Sequence, residues 1–114
     1  MSDAESLITK KCKPCEGGTK PFDATEINSY LSMLSGWALI NGEIVKTYTF
    51  QNYHETMAFV NATALISHRE DHHPDLEVGY KTCKVRYMTH SIKGLSENDF
   101  ICAAKIDALL KGNS

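Results

Sequence analysis

The chain has 114 residues, of which 42% are hydrophobic and 23% are charged, and its formal net charge is -2. This length suits one compact domain with a real core and leaves no room for a second catalytic domain. The charge provides no basic field for nucleic-acid phosphates. No apolar run could span a bilayer, and Met1 to Cys15 lacks the features of a signal peptide. We therefore expect a cytoplasmic protein that binds neither membrane nor nucleic acid.

The N-terminal region carries a cysteine pair but little apolar periodicity. Cys12-Lys13-Pro14-Cys15 has the spacing of a redox or zinc motif. No strand precedes it, however, and no second pair follows to complete four zinc ligands. We therefore predict a flexible tail over residues 1–22, thiols rather than disulfides, and a single folded domain over residues 23–114.

The first predicted elements of the domain are a helix and a hairpin. Asp23 and Glu26 have the spacing of a capping box, and apolar residues at helical spacing follow, which predicts a helix over about 24–34. Gly36 ends this helix. Asn41-Gly42 then lies between two apolar, partly alternating segments, a strong signal for two antiparallel strands joined by a tight turn.

A long helix and a second strand pair follow. Residues 52–71 contain no Gly or Pro and have a broad apolar face, which predicts a helix. Pro74 disfavours helical geometry at His73, so this helix should end near the His72-His73 pair. Alternating apolar residues over 76–88 predict two more strands, with His90 at or just past a strand end.

The last predicted element is a helix that begins at a possible capping box, Ser96 to Asp99. The order α-β-β-α-β-β-α predicts a single α+β domain, in which helices pack on one face of a four-stranded, largely antiparallel sheet. We assign Lys46, Lys84 and Arg86 to the opposite face. That face suits solvent, although the broad apolar helix and the open strand edges also suit a symmetric oligomer.

Three of the five histidines lie within nineteen positions, and the residues alone allow three interpretations. Imidazole can give and take protons near neutral pH, because its ordinary pKa is about 6.5. In the first interpretation each histidine only caps a helix or bonds a neighbour. In the second, His68 and His72 share a helix face and bind a metal with His73 or His90. However, the residues from 68 to 72 match neither histidine-glutamate order of zinc hydrolases.

The third interpretation is metal-free acid-base catalysis on a small polar ring compound. Two histidines that converge on one pocket can serve as its acid and base. Asp71 would orient an imidazole, and Tyr80 or Met88 would line the wall. The residues permit this chemistry without naming the substrate.

The spacing of these residues resembles that of a known family, the pterin-4a-carbinolamine dehydratases, also called 4a-hydroxytetrahydrobiopterin dehydratases. The similarity extends from Gly36-Trp37 through Gly94 to Glu97 and the last helix, and the tail is similar to that of bacterial members. The array that carries the resemblance is His68, three residues, His72-His73-Pro74, five residues, Tyr80, nine residues, His90, eight residues and Asp99.

The resemblance implies the α+β fold predicted above and assembly into dimers or tetramers. It also implies dehydration of 4a-hydroxytetrahydropterin to quinonoid dihydropterin, which recycles the pterin used by an aromatic amino acid hydroxylase. The departing 4a-hydroxyl must be protonated while a proton leaves N5, so an acid and a base suffice. We therefore expect neither a metal nor a cofactor.

The resemblance also assigns roles to residues. His72 and His90 match the two acid-base histidines of the family, and His73 matches the one that mainly holds the pterin. Which of the first two is the acid stays open. The predicted substrate-binding residues are Asp71, His72, His73, Pro74, Met88, Thr89, His90 and Ser91.

Three matching positions have open roles. The family often has Glu where this chain has His68, which leaves a role in proton relay open. Asp99 is also the third residue of a predicted helix, where a carboxylate bonds the cap backbone, so we expect a structural role. Pro74 and Tyr80 are expected to shape the pocket.

A protein-interaction function is the alternative from a different class. Animal members of the family also act as dimerisation cofactors of a homeodomain transcription factor. The similarity of the tail to bacterial members argues against that partner for this chain.

Overall fold

A computed structural model describes residues 3–15 and 19–111. The strands are β1 Ala38–Ile40, β2 Glu43–Thr49, β3 Asp75–Val78 and β4 Thr82–Tyr87, and the helices are α1 Asp3–Ile8, α2 Ala24–Leu31, α3 Tyr53–Glu70 and α4 Glu97–Lys111. All seven predicted elements are present in the predicted order. Residues 1, 2 and 16–18 of the predicted tail, and 112–114 of the predicted domain, lie outside the described residues.

The four strands form one antiparallel sheet in the order β1-β2-β4-β3. Asn41 and Gly42 join β1 to β2 with φ angles of 51° and 80°, the left-handed pair that a two-residue hairpin turn requires. The predicted hairpin is therefore confirmed. In the described part of the chain, no helix has both the length and the apolar character needed to cross a membrane.

The core lies between the sheet and helices α3 and α4. Cys83, Val85 and Tyr87 alternate along β4 on one face of the sheet, and each is 0% exposed. The side chains that complete this cluster include Ile44 and Tyr48 from β2, Phe59 and Ile66 from α3, and Phe100, Ala103 and Ile106 from α4. The prediction of an α+β domain with its helices on one face is confirmed.

Lys46 lies on the helix-covered face, so its assignment to the opposite face is wrong. The register pairs Lys46 with the buried Val85 and places Thr47 beside Lys84 on the outer face. The ammonium group of Lys46 donates to Asp107 Oδ1 of α4 at 2.8 Å and to the Ser35 carbonyl at 2.9 Å. A partly buried carboxylate therefore holds a cation where the alternation of the strand would place an apolar residue.

Asp107 joins α4 to the sheet through three side chains. Besides Lys46, it accepts hydrogen bonds from Trp37 Nε1, at 3.0 Å, and from the Tyr48 hydroxyl. Burial and the neighbouring carboxylate raise the pKa of Tyr48, which keeps its hydroxyl protonated as a donor. The side chain of Asp107 is only 14% exposed, so these partners replace most of its contact with water.

The N-terminal residues differ from the predicted flexible tail, because α1 packs against α4. Leu7 is 1% exposed and belongs to the core, and Lys105 of α4 donates to the carbonyl of Ile8 at 2.6 Å. A helix of six residues is too short to show apolar periodicity in a sequence. The docking of α1 depends on contacts with residues about ninety positions away, which local patterns do not reveal.

We predict that Asp107→Ala lowers the free energy of unfolding by about 3 kcal/mol, because it leaves the ammonium group of Lys46 without its carboxylate partner. Urea denaturation followed by circular dichroism measures the change. Asp75→Ala removes an exposed carboxylate from β3 and should change stability by less than about 0.5 kcal/mol. Equal effects of the two substitutions would contradict the structural role of Asp107.

Candidate active site

The histidine pair follows an abrupt end of α3. Asp71 adopts the left-handed conformation, with φ 51° and ψ 43°, and its N–H bonds back to the carbonyls of Ser67 and His68. The N–H of His72 also donates to the Ser67 carbonyl, at 3.1 Å. The helix therefore ends at Glu70, close to the predicted end. Pro74 prevents helical geometry from resuming at His73.

Asp99 is the buried anion of the region. It is 0% exposed, and its Oδ2 accepts hydrogen bonds from the Thr89 hydroxyl at 2.8 Å and the Ser96 N–H at 3.0 Å. Its Oδ1 lies 2.7 Å from Nε2 of His72. The predicted bond to the cap backbone is present, while the Ser96 hydroxyl contacts Thr89 at 2.8 Å instead of completing a capping box. The carboxylate therefore has both a structural role and a contact with the histidine pair.

His72 is held between this carboxylate and an aromatic ring. Its side chain is 12% exposed, and its ring is nearly parallel to that of Tyr87, with centroids 5.7 Å apart and an interplanar angle of 8°. An ionised carboxylate can only accept hydrogen bonds, so Nε2 carries the proton of the bond to Asp99. Among the described residues, no hydrogen bond engages Nδ1, which leaves that nitrogen available for a bound molecule.

His73 and His90 are exposed and face each other. Their ring centroids are 6.4 Å apart and the rings are inclined by 29°. His90 begins a short 3-10 helix, His90–Ile92, which follows the end of β4 as predicted. A β-bridge between Thr89 and Gly94 closes this turn. The chain thus brings the end of α3 and the end of β4 together at one place.

The three histidines line one cavity of about 460 Å³. This volume is within the usual range for sites that bind small molecules, about 300–1,000 Å³. The predicted residues that line it are Asp71, His72, His73, Met88, Thr89, His90 and Ser91. Seven of the eight predicted substrate-binding residues therefore meet at the cavity, and Pro74 is the exception.

Tyr80 and His68 do not line this cavity. Tyr80 lies in the turn between β3 and β4, is 66% exposed and stacks on Tyr53 with ring centroids 6.0 Å apart. His68 is exposed in the last turn of α3. Tyr80 therefore forms no part of the cavity wall in this chain, and its expected role in shaping the pocket stays a prediction. No three or more His, Cys, Asp or Glu side chains within residues 3–15 and 19–111 are grouped so that they could hold a metal ion.

A larger cavity, of about 590 Å³, lies beside Asp107. Among its lining residues, the side chains of Lys46 and Tyr48 both donate hydrogen bonds to Asp107. No histidine lines it. The histidine cavity is therefore the better candidate for acid-base chemistry.

The remaining lining residues of the histidine cavity were not predicted from the sequence. These are Cys12, Lys13, Pro14, Cys15 and Asn98. The cysteine spacing was the only local sign of the first four, and it suggested redox or zinc chemistry rather than a cavity wall. Cys12 instead packs against the core, where its Sγ lies 3.5 Å from Sγ of Cys102.

Glu70 links the N-terminal residues to the end of α3. Its Oε1 accepts a hydrogen bond from the N–H of Cys12 at 2.8 Å, and its Oε2 lies 3.7 Å from Nζ of Lys105. Burial alone would raise the pKa of Glu70. The hydrogen bond and the nearby ammonium groups of Lys105 and Lys11 outweigh burial, so the pKa of Glu70 lies below its ordinary value.

The fold and cavity together define a small α+β domain with a histidine-lined cavity. Comparison with known families agrees with this class, because residues 20–109 match the model of the family described as pterin 4 alpha carbinolamine dehydratase. Two relatives carry the name "Putative pterin-4-alpha-carbinolamine dehydratase". The protein of Nitrosomonas europaea is 57% identical and covers 97% of this chain and 99% of its own length. That of Dechloromonas aromatica is 53% identical, with coverage of 97% and 99%.

Two solved structures are also similar to this chain. A transcriptional coactivator/pterin dehydratase from Brucella melitensis has a TM-score of 0.76 at 28% identity, over 79% of this chain and 98% of that protein. A pterin dehydratase-like protein, described as a RuBisCO assembly factor in the alpha-carboxysome, has a TM-score of 0.55 at 26% identity, over 64% and 84%. The chain belongs to the pterin 4 alpha carbinolamine dehydratase family.

We predict that Glu70→Gln reduces the loss of stability in acid. Because the pKa of Glu70 is lower in the folded state than in the unfolded chain, its stabilising contribution is complete at neutral pH. That contribution disappears as pH falls through the folded-state value. Urea denaturation at several values between about pH 3 and pH 7 should show a shallower acid limb for the variant.

Glu5→Gln is the matched control for this measurement, because it removes an exposed carboxylate from α1. Its stability curve should follow that of the wild type. If Glu70→Gln also follows the wild type, the contact between Glu70 and Cys12 does not stabilise the folded state.

Proposed function

We propose that this chain dehydrates 4a-hydroxytetrahydropterin to quinonoid dihydropterin by histidine acid-base catalysis that requires no metal. The observation that carries the proposal is the buried contact between Asp99 and His72, beside the two exposed histidines of the same cavity. The names of the relatives agree with this activity. An oriented base next to further imidazoles supplies what the reaction needs.

The reaction needs two proton transfers and no other chemistry. The bond between C4a and its hydroxyl oxygen breaks, and the oxygen leaves as water after it receives a proton from an acid. The proton on N5 passes to a base, and the nitrogen electron pair forms the new double bond between N5 and C4a. One proton is given and one is taken, so the enzyme returns to its net protonation state without a redox partner.

We assign the role of base to His72. The Nε2–H of its ring donates to Asp99, which leaves the lone pair of Nδ1 free to accept the N5 proton. When His72 becomes an imidazolium, the neighbouring carboxylate stabilises the positive charge. The stacking on Tyr87 keeps the ring in one orientation during this transfer.

We assign the role of acid to His90 and the role of substrate clamp to His73. Both imidazoles are exposed and line the same cavity. Their ring centroids are 6.4 Å apart, so one small molecule could contact both rings. His90 can exchange its proton with solvent between turnovers because its ring is accessible. Asp71, Met88 and Ser91 would contact the pterin from the rim.

Other residues of the predicted site have supporting roles in this proposal. Thr89 is 4% exposed and acts through its hydrogen bond to Asp99. Pro74 fixes the chain as it leaves α3. Assembly into a homo-oligomer and coupling to an aromatic amino acid hydroxylase stay predictions from the family resemblance.

We predict that His72→Ala lowers the turnover number for 4a-hydroxytetrahydropterin by about 100-fold or more, because it removes the base. Stopped-flow absorbance measures the dehydration after subtraction of the spontaneous reaction. His54→Ala removes an exposed histidine from the first turn of α3, at the other end of that helix, and should keep wild-type turnover. A folded His72→Ala protein with full activity would refute the proposed mechanism.

We predict that Asp99→Asn lowers kcat by about 100-fold with little change in KM, because Asp99 orients His72 from beneath the cavity without facing the substrate. Thr89→Val removes one hydrogen bond from the same carboxylate and should have a smaller effect on kcat. Steady-state kinetics on proteins with matched circular dichroism spectra test both variants. A rise in KM at constant kcat for Asp99→Asn would exclude the orienting role.

A further inference from the structure

The wall of the cavity formed by Cys12 to Cys15 comes from a distant part of the sequence. We call these four residues the strap. All four line the cavity that holds His72, His73 and His90, although they precede the nearest of these histidines by more than fifty positions. The strap has no regular secondary structure, so bonds to the rest of the domain must fix its position.

The two ends of the strap are tied to the two edges of the histidine site. At one end, the N–H of Cys12 donates to Glu70, which directly precedes Asp71 and His72. At the other end, the hydroxyl of Ser91, the residue after His90, donates to the carbonyl of Cys15 at 2.8 Å. The strap therefore runs from the end of α3 to the turn after β4.

Asn98 holds the middle of the strap. Its side-chain Oδ1 accepts a hydrogen bond from the N–H of Lys13 at 3.0 Å, and its Nδ2 donates to the carbonyl of Lys13 at 2.6 Å. Nδ2 also lies 3.4 Å from Sγ of Cys15. Asn98 is 8% exposed, so an amide left without these partners would be largely excluded from water. Both polar groups of the amide thus bond the strap backbone.

We propose that Asn98 is a positioning residue for substrate binding, because it fixes the strap as a wall of the pterin site. This inference rests on the proposed function. Asn98 and Asp99 are neighbours in the first turn of α4, and each sets a different part of the cavity. Asp99 contacts His72, whereas Asn98 holds a wall that includes Pro14 and Cys15.

The expected consequence of losing this clamp is weaker binding with normal chemistry. A segment without secondary structure gains conformational freedom when its central hydrogen bonds are removed. Substrate binding must then order the segment again, which lowers affinity. The proposed acid and base are held by other contacts. We therefore expect kcat, the rate at which bound substrate reacts, to stay close to that of the wild type.

The experiment compares Asn98→Ala, Lys13→Pro and the double variant, all in the full chain. Asn98→Ala removes the amide of α4 that bonds the strap. Lys13→Pro removes the N–H that donates to Asn98 Oδ1 and leaves the sequence of α4 unchanged. Stopped-flow kinetics give kcat and KM for 4a-hydroxytetrahydropterin. Isothermal titration calorimetry gives the affinity for 7,8-dihydrobiopterin, which lacks the 4a-hydroxyl and cannot be dehydrated. Asn61→Ala, an exposed asparagine in α3, is the matched control.

We expect each single variant to raise KM and the dissociation constant of dihydrobiopterin by about tenfold, with kcat within about twofold of the wild type. The double variant should be little worse than Asn98→Ala alone, because that substitution already removes the hydrogen bond that Lys13→Pro removes. Thermal melting verifies that each protein is folded at the assay temperature. The control should retain wild-type kcat and KM.

Several outcomes would overturn the inference. Unchanged KM in both single variants of an active enzyme would show that the strap is not part of the binding wall. A fall in kcat at constant KM would show that Asn98 acts on the chemistry through its neighbour. Additive effects in the double variant would show that the two residues act separately. A wild-type protein that neither dehydrates the carbinolamine nor binds dihydrobiopterin would refute the proposed function itself.

Discussion

The site depends on one buried negative charge, the carboxylate of Asp99. A carboxylate excluded from water is stable only if hydrogen bonds replace its hydration, and this one accepts bonds from a hydroxyl, a backbone N–H and an imidazole. The three donors come from the end of β4, the start of α4 and the segment after α3. The carboxylate receives all three hydrogen bonds only where these three segments meet. The cavity that contains the histidines lies at the same meeting point.

A second carboxylate on α4, that of Asp107, attaches the helix to the sheet. Asp107 lies two turns after Asp99, so both face the same side of the helix and point toward the rest of the domain. Asp107 bonds side chains from β2 and from Trp37, which precedes β1, and so fixes the helix against the sheet. One end of α4 thus contacts the histidine cavity through Asp99, and the other end is bonded to the sheet through Asp107.

Local patterns predicted the regular elements well, because capping boxes, the Asn41-Gly42 turn and alternating strands are encoded by neighbouring residues. They failed where position depends on distant partners. Lys46 occupies an apolar position because Asp107 compensates its charge, and α1 packs on a helix about ninety residues away. The histidine site was largely predictable through the family resemblance. Asn98 and the strap were not, because their contacts join backbone groups to one side-chain amide and leave no motif.

Asp71 combines a strained backbone with a position at the rim of the histidine cavity. It occupies a left-handed conformation that glycine adopts without steric cost. A residue with a side chain loses about 1 kcal/mol of folding free energy there. Glycine would relax the backbone at the end of α3, but it would remove a carboxylate from the rim of the cavity. The domain therefore retains a conformational cost at the residue that immediately precedes its histidine pair. Strained backbone positions of this kind cluster at functional sites, which agrees with the place of Asp71 at the rim of the candidate site.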